Sequence, residues 1–141
     1  MLGTDRARYT QAVHLRHLGL PVRDSETSLR FCATWFGFDP ATATTYPDGT
    51  TIVRDADGFD LALHPVSSVP PAVPFLHLGF GVDDAAAVRA LLARMERSGV
   101  EIVERDDEPG LVSFKCVDPD GWRVEVYWEQ PPTTRPLPSR A

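Results

Sequence analysis

The chain has 141 residues, 43% of them hydrophobic, which suits a single domain with a core of its own. Fourteen basic against twenty acidic residues give a net charge of −6, which argues against a nucleic-acid partner, because such proteins carry a basic surface. No apolar run reaches the roughly 18–20 residues of a membrane span, the first residues show no apolar export signal, and two cysteines build no disulfide framework; a cytoplasmic protein without a membrane partner is expected.

In chain order, residues 1–12 read as an extension. The apolar stretch 13–22 reads as a strand. Asp24 and Ser25 then offer an N-cap for a helix carrying Leu29, Phe31, Cys32, Trp35 and Phe36. Short strand-like runs follow, joined by Pro47-Asp48-Gly49 and Asp57-Gly58 turns. Residues 65–74 hold four prolines, which donate no ladder hydrogen bonds, so this stretch reads as a linker. The pattern then repeats. A strand over 75–82 precedes a cap at Asp83 or Asp84 and a helix over 85–98, with Val88, Leu91, Leu92 and Met95 at helical spacing and Gly99 as its stop. Further strand-like runs are punctuated by Glu108-Pro109-Gly110 and Asp118-Pro119-Asp120-Gly121, and residues 130–141 read as a proline-rich tail.

The two halves are alike in sequence. His17-Leu-Gly-Leu-Pro-Val-Arg-Asp24 aligns with His77-Leu-Gly-Phe-Gly-Val-Asp-Asp84, identical at five of eight positions at an offset of 60. Asp57-Gly-Phe-Asp-Leu-Ala-Leu-His64 aligns with Asp120-Gly-Trp-Arg-Val-Glu-Val-Tyr127 at an offset of 63. Two matches in the same order indicate an internal duplication, an α+β chain of two modules, 13–64 and 75–129, each a strand, a helix and three strands.

Strand alternation assigns the faces. Leu61 and Leu63 point to the helix side, while Asp60, Ala62 and His64 point away. In the second module Val124 and Val126 oppose Arg123, Glu125 and Tyr127, and by the same rule His17 and His77 lie on faces that the helices leave open. A lone strand histidine is ordinarily a hydrogen-bonded structural residue, and a lone glutamate a solvated one. Here both histidines hold the same place in their repeats and Glu125 stands on the last strand. Two imidazoles and a carboxylate form a facial ligand set for a divalent ion with open coordination positions. Other chemistry is thin. No glycine-rich phosphate loop occurs, Ser113 has no nucleophile elbow around it, and Cys32 and Cys116 lack the basic neighbours of reactive thiols.

These residues, with the Asp118-Pro-Asp-Gly-x-x-x-Glu125 segment, resemble the vicinal oxygen chelate superfamily of glyoxalase I, bleomycin-resistance proteins and extradiol dioxygenases. The resemblance implies two tandem βαβββ modules forming a curved mixed sheet around a cleft, one divalent metal ion (Fe, Mn, Zn or Ni) on His17, His77 and Glu125, and a homodimer. It implies an enzyme of lyase, isomerase or dioxygenase type acting on a small, bidentate, oxygenated substrate. Glu125 and His64 are the catalytic candidates, and Asp60, Lys115, Arg123 and Tyr127 the substrate-binding ones. Two departures narrow this. Ala62 stands where glyoxalase I has a fourth ligand, and Lys115 where extradiol dioxygenases have a tyrosine, with no histidine after His77. The alternative is a bleomycin-resistance-like protein that binds a small molecule or drug without catalysis.

Overall fold

The computed structural model describes residues 12–131, so most of the expected extension (1–12) and tail (130–141) lies outside the described residues. The first module runs β1 (His17–Val22), α1 (Ser25–Phe36), β2 (Asp39–Thr45), β3 (Thr51–Arg54) and β4 (Asp60–Pro65). The second repeats it as β5 (His77–Gly81), α2 (Ala85–Arg97), β6 (Ile102–Glu108), β7 (Leu111–Val117) and β8 (Arg123–Glu129). Each module is thus a βαβββ unit with its own mixed sheet, ordered β1-β4-β3-β2 and β5-β8-β7-β6. No helix among the described residues is long and apolar enough to cross a membrane.

Local chemistry sets the helix ends. The Asp24 carboxylate accepts from the Glu26 N–H at 3.1 Å and the Thr27 hydroxyl at 2.9 Å, and Asp84 accepts from the Ala87 N–H at 2.7 Å, each satisfying donors that a helix start leaves orphaned. Gly37 ends α1 at φ +74°, a backbone conformation that only glycine adopts without strain. The first strands are shorter than the apolar runs suggest. β1 begins at His17 because its parallel partner β4 begins opposite it at Asp60. Upstream, Val13 is 96% exposed.

Each sheet buries its apolar face under helices, and the two apolar faces share one seam. Leu20, Val22, Val53, Leu61 and Leu63 form the first core, against which Leu78, Phe80 and Trp122 of the second module pack. Phe31, Trp35 and Phe36 of α1 in turn pack on the second core around Val88, Phe114 and Val126. Phe80 stacks on Phe36 at 4.7 Å between ring centroids and meets Phe38 edge-on at 6.1 Å. Polar ties cross the seam too. The Trp122 Nε1–H donates to the Pro21 carbonyl at 2.9 Å, and the Asp120 carboxylate accepts from the Arg23 N–H at 3.0 Å and the Ser28 hydroxyl at 3.2 Å. Both polar faces therefore point away from the shared core, and the eight strands form two sheets rather than one continuous one.

Asp118 organises the turn that delivers Asp120 and Trp122. It accepts from their N–H groups at 2.9 and 2.8 Å. Burial outweighs these donors and pushes its carboxyl up to about 6. The protonated form is thus favoured by folding, so this stabilisation is full below the usual carboxyl value and lost as pH rises through about 6. Urea unfolding is expected to show that decline in the native sequence. In Asp118→Asn, which keeps the acceptor oxygen, the decline between pH 4 and 6 is smaller and stability at pH 7 is equal or higher; identical slopes in both proteins would contradict it.

Candidate metal and substrate site

The polar face of the second sheet carries the tightest constellation. β5 and β8 run parallel with His77 opposite Arg123 and Gly79 opposite Glu125. His77 Nε2 lies 3.0 Å from Glu125 Oε2, and its Nδ1 lies 2.8 Å from the Phe75 carbonyl oxygen. Phe75 is the one described non-glycine residue with positive φ, +66°, and this backbone conformation accompanies the carbonyl's contact with the ring. A carbonyl only accepts, so Nδ1 carries hydrogen, and a neutral imidazole has no second N–H for the carboxylate. The Nε2 to Glu125 contact is satisfied by a second proton or by a cation between the two groups. An imidazole whose Nδ1–H is held by a backbone carbonyl is the arrangement that orients metal-binding histidines.

Beside this pair, a register shift in β6 between Ile102 and Glu104 changes which residues face out. It brings Glu104 opposite Lys115, whose ammonium donates to Glu104 at 2.9 Å. That hydrogen bond, aided by the charges of Glu104, Glu125 and Asp106, raises the Lys115 pKa, so Lys115 is a fixed cation rather than a proton acceptor. The alternate residues of β6 turn to α2, where Arg105 pairs with Glu96 and Arg89 grips Asp107 with two hydrogen bonds of 2.9 Å. Glu104 escaped the sequence reading because a bulge leaves no compositional mark.

On the first sheet the same face holds His17, Asp60 and His64. His17 Nδ1 lies 4.0 Å from Asp60, which pairs with Arg54. His64 Nδ1 is 2.9 Å from the Thr50 hydroxyl. The Thr50 N–H in turn donates to Asp48 and holds that carboxyl below its ordinary range. Glycines at the repeated position make room for rings. A Cβ on Gly19 would sit 3.1 Å from His64 Nε2, and one on Gly79 3.3 Å from the Tyr127 ring. His64 and Tyr127, repeat equivalents, thus lie across equivalent strands. Gly19 pairs with Ala62 as Gly79 pairs with Glu125, so Ala62 occupies the glutamate's position in its own module.

Among the described residues, no three His, Cys, Asp or Glu side chains come together as a cation site. One chain brings His77 to Glu125 and leaves His17 on the other sheet. A cavity of about 260 Å³ adjoins His77, walled by residues 72–76 and by Val103, Glu104, Lys115 and Arg123. An apolar cleft of about 490 Å³ also reaches His77, running between the sheets past Leu18, Phe38, Phe59, Leu78 and Phe80. The thiols stand apart from this chemistry. Burial pushes Cys32 up to about 12 and Cys116 up to about 11. Neither is expected to react with iodoacetamide at pH 8 in the folded protein, whereas both react in urea; mass spectrometry showing rapid modification of native protein would contradict this.

The sequence profile of the Glyoxalase/Bleomycin resistance protein/Dioxygenase superfamily matches residues 14–126. Among solved structures, a possible glyoxalase from Bacillus cereus is 26% identical, covers 82% of this chain and 98% of its own, and superposes with a TM-score of 0.69. The fosfomycin resistance protein FosX from Listeria monocytogenes, complexed with Mn(II) and sulfate, is 17% identical over 86% of this chain and 94% of its own, with a TM-score of 0.70. The antibiotic-binding protein TnmS3 from a Streptomyces species is 22% identical over 85% and 98% of the two chains, with a TM-score of 0.63. The last two share the fold. No curated protein matches in sequence. The profile spans both repeats, from β1 to β8, and with two βαβββ modules in place the chain belongs to the Glyoxalase/Bleomycin resistance protein/Dioxygenase superfamily.

Proposed function

We propose that this protein is a divalent-metal enzyme of its superfamily, acting on a small oxygenated substrate that binds through two oxygens. The observation that carries the reading is the geometry around His77. Its Nδ1–H is committed to Phe75, and its Nε2 faces the Glu125 carboxylate at 3.0 Å, a pair of donors suited to a cation. His17 is the third ligand in this proposal, supplied by a second copy of the chain. Two features support a homodimer of this kind. Both histidines stand on strands, β1 and β5, that lie at the edge of their sheets among the described residues, and edge strands favour pairing with another chain. Exposed apolar residues lie just upstream of both strands: Val13 and Leu15 before β1, Val73, Phe75 and Leu76 before β5.

A bound divalent ion supplies Lewis-acid polarisation of two adjacent substrate oxygens. The chain's own residues do the remaining work. With Ala62 in the repeat position of Glu125, three side chains leave coordination positions for water or substrate. Lys115, kept protonated by Glu104, contributes a fixed positive charge to the face. His64, braced at Nδ1 by Thr50, has Nε2 available to hold or move a proton. Fe, Mn, Zn and Ni all suit this ligand set, and the Mn(II) in FosX makes Mn(II) the first ion to try.

The second reading is a protein that binds a small molecule without chemistry, favoured by the 490 Å³ apolar cleft and by the likeness to antibiotic-binding TnmS3. Titration with Mn(II) separates the two. The metal reading expects saturable binding and, in Glu125→Gln, affinity at least about tenfold lower. Equal affinity in the two proteins, or binding in neither, would overturn it in favour of the second reading.

A further inference from the structure

We propose that Arg123 is an anion-binding residue, and that the cavity beside His77 takes a compact small molecule whose carboxylate or phosphonate rests on its guanidinium. The inference deepens the metal-enzyme reading and rests on it for which end of the molecule reacts.

Arg123 stands out among the arginines. Among the described residues it is the one arginine that is half-buried rather than exposed, and it makes neither an ion pair nor a side-chain hydrogen bond there, although Arg54, Arg89 and Arg105 all pair while exposed. The acid two residues along its strand and the acid in its cavity are engaged elsewhere. Glu125 faces His77 and Glu104 holds Lys115. A guanidinium partly withdrawn from water and left without a carboxylate is costly, and a bound oxyanion removes that cost. Its planar fork presents two parallel N–H donors, which match the two oxygens of a carboxylate or phosphonate.

Position and size define the ligand further. Arg123 lies directly opposite His77 in the β5 and β8 register, so an anion on Arg123 has the rest of its molecule beside the His77 and Glu125 pair. The volume, about 260 Å³, lies just below the range of pockets for drug-sized ligands, which starts at about 300 Å³, so the ligand is compact. Val73, Pro74, Leu76 and Val103 give the cavity an apolar wall for a short carbon skeleton. Lys115 and Arg123 both suit an anion by charge, but only Arg123 is uncommitted. Lys115 sets the positive field, and Arg123 makes the contact.

The test uses metal-free full-length protein with lactate and methylphosphonate as probes, and methylammonium as the cationic control, read by isothermal titration calorimetry. At least one anion is expected to bind saturably, methylammonium not at all. Arg123→Met should weaken binding at least about tenfold, Arg123→Lys should fall between the two because it keeps charge and loses the fork, and Arg97→Met, an exposed arginine on α2, should match the native protein. Thermal melts confirm that each variant is folded. Absence of binding by both anions, or unchanged binding in folded Arg123→Met, overturns the proposal. Because the probes are read without metal, these outcomes are independent of the Mn(II) titration. Anion binding without Mn(II) binding sinks the metal reading alone, and the reverse sinks the anion site alone.

Discussion

The rest of the structure depends on the apolar seam between the two sheets. Phe80 joins it by stacking on Phe36, and Trp122 enters the first module's core while its indole N–H bonds to Pro21. A sheet that buries one face under a helix and against a second sheet has only its other face left for chemistry. Both polar faces are therefore turned outward, His77 and Glu125 on one, His17 and His64 on the other. The same packing that stabilises one chain separates the parts of its candidate site, and this is why association with a second copy enters the functional account.

Duplication gave the two modules the same frame, and divergence gave the two faces opposite electrostatics. At equivalent positions His17 faces Asp60 and His77 faces Arg123. A carboxylate beside His17 favours a cation, while the guanidinium beside His77 opposes one and is offset by Glu125 two residues on. In place of Glu125 the first module has buried Ala62, which ligates nothing. Rings in equivalent places differ as well: Tyr127 lies over Gly79, and His64, a titratable group, over Gly19. On the proposed reading the modules retain a common backbone and divide the chemistry, one supplying His77, Glu125 and Arg123, the other His17 and His64.

Much of this was legible in the residues. Asp24 and Asp84 announce their helices because a capping carboxylate is a local device, needing only N–H groups two or three residues away. The repeated His-Leu-Gly marks equivalent strands because each glycine makes room for a ring from the neighbouring strand. What stayed hidden is non-local. Residues 13–16 alternate apolar and polar as a strand does, but they lie outside the β1 pairing, which starts with His17 opposite Asp60. The β6 register shift that turns Glu104 toward Lys115 depends on pairing with β7, and the Phe75 carbonyl reaches His77 through a backbone conformation that phenylalanine does not advertise. Alternation assigned each module two faces; which faces meet was decided by packing across the seam.

In the proposed function one metal position draws His77 and Glu125 from one chain and His17 from another. Co-refolding His17→Ala with Glu125→Ala tests it most directly, since a mixed dimer restores one intact ligand set although each variant alone has none. Metal analysis after co-refolding should show binding that neither variant displays by itself. A mixture as metal-free as its two components would show that the three ligands do not meet across two chains, and would contradict the account.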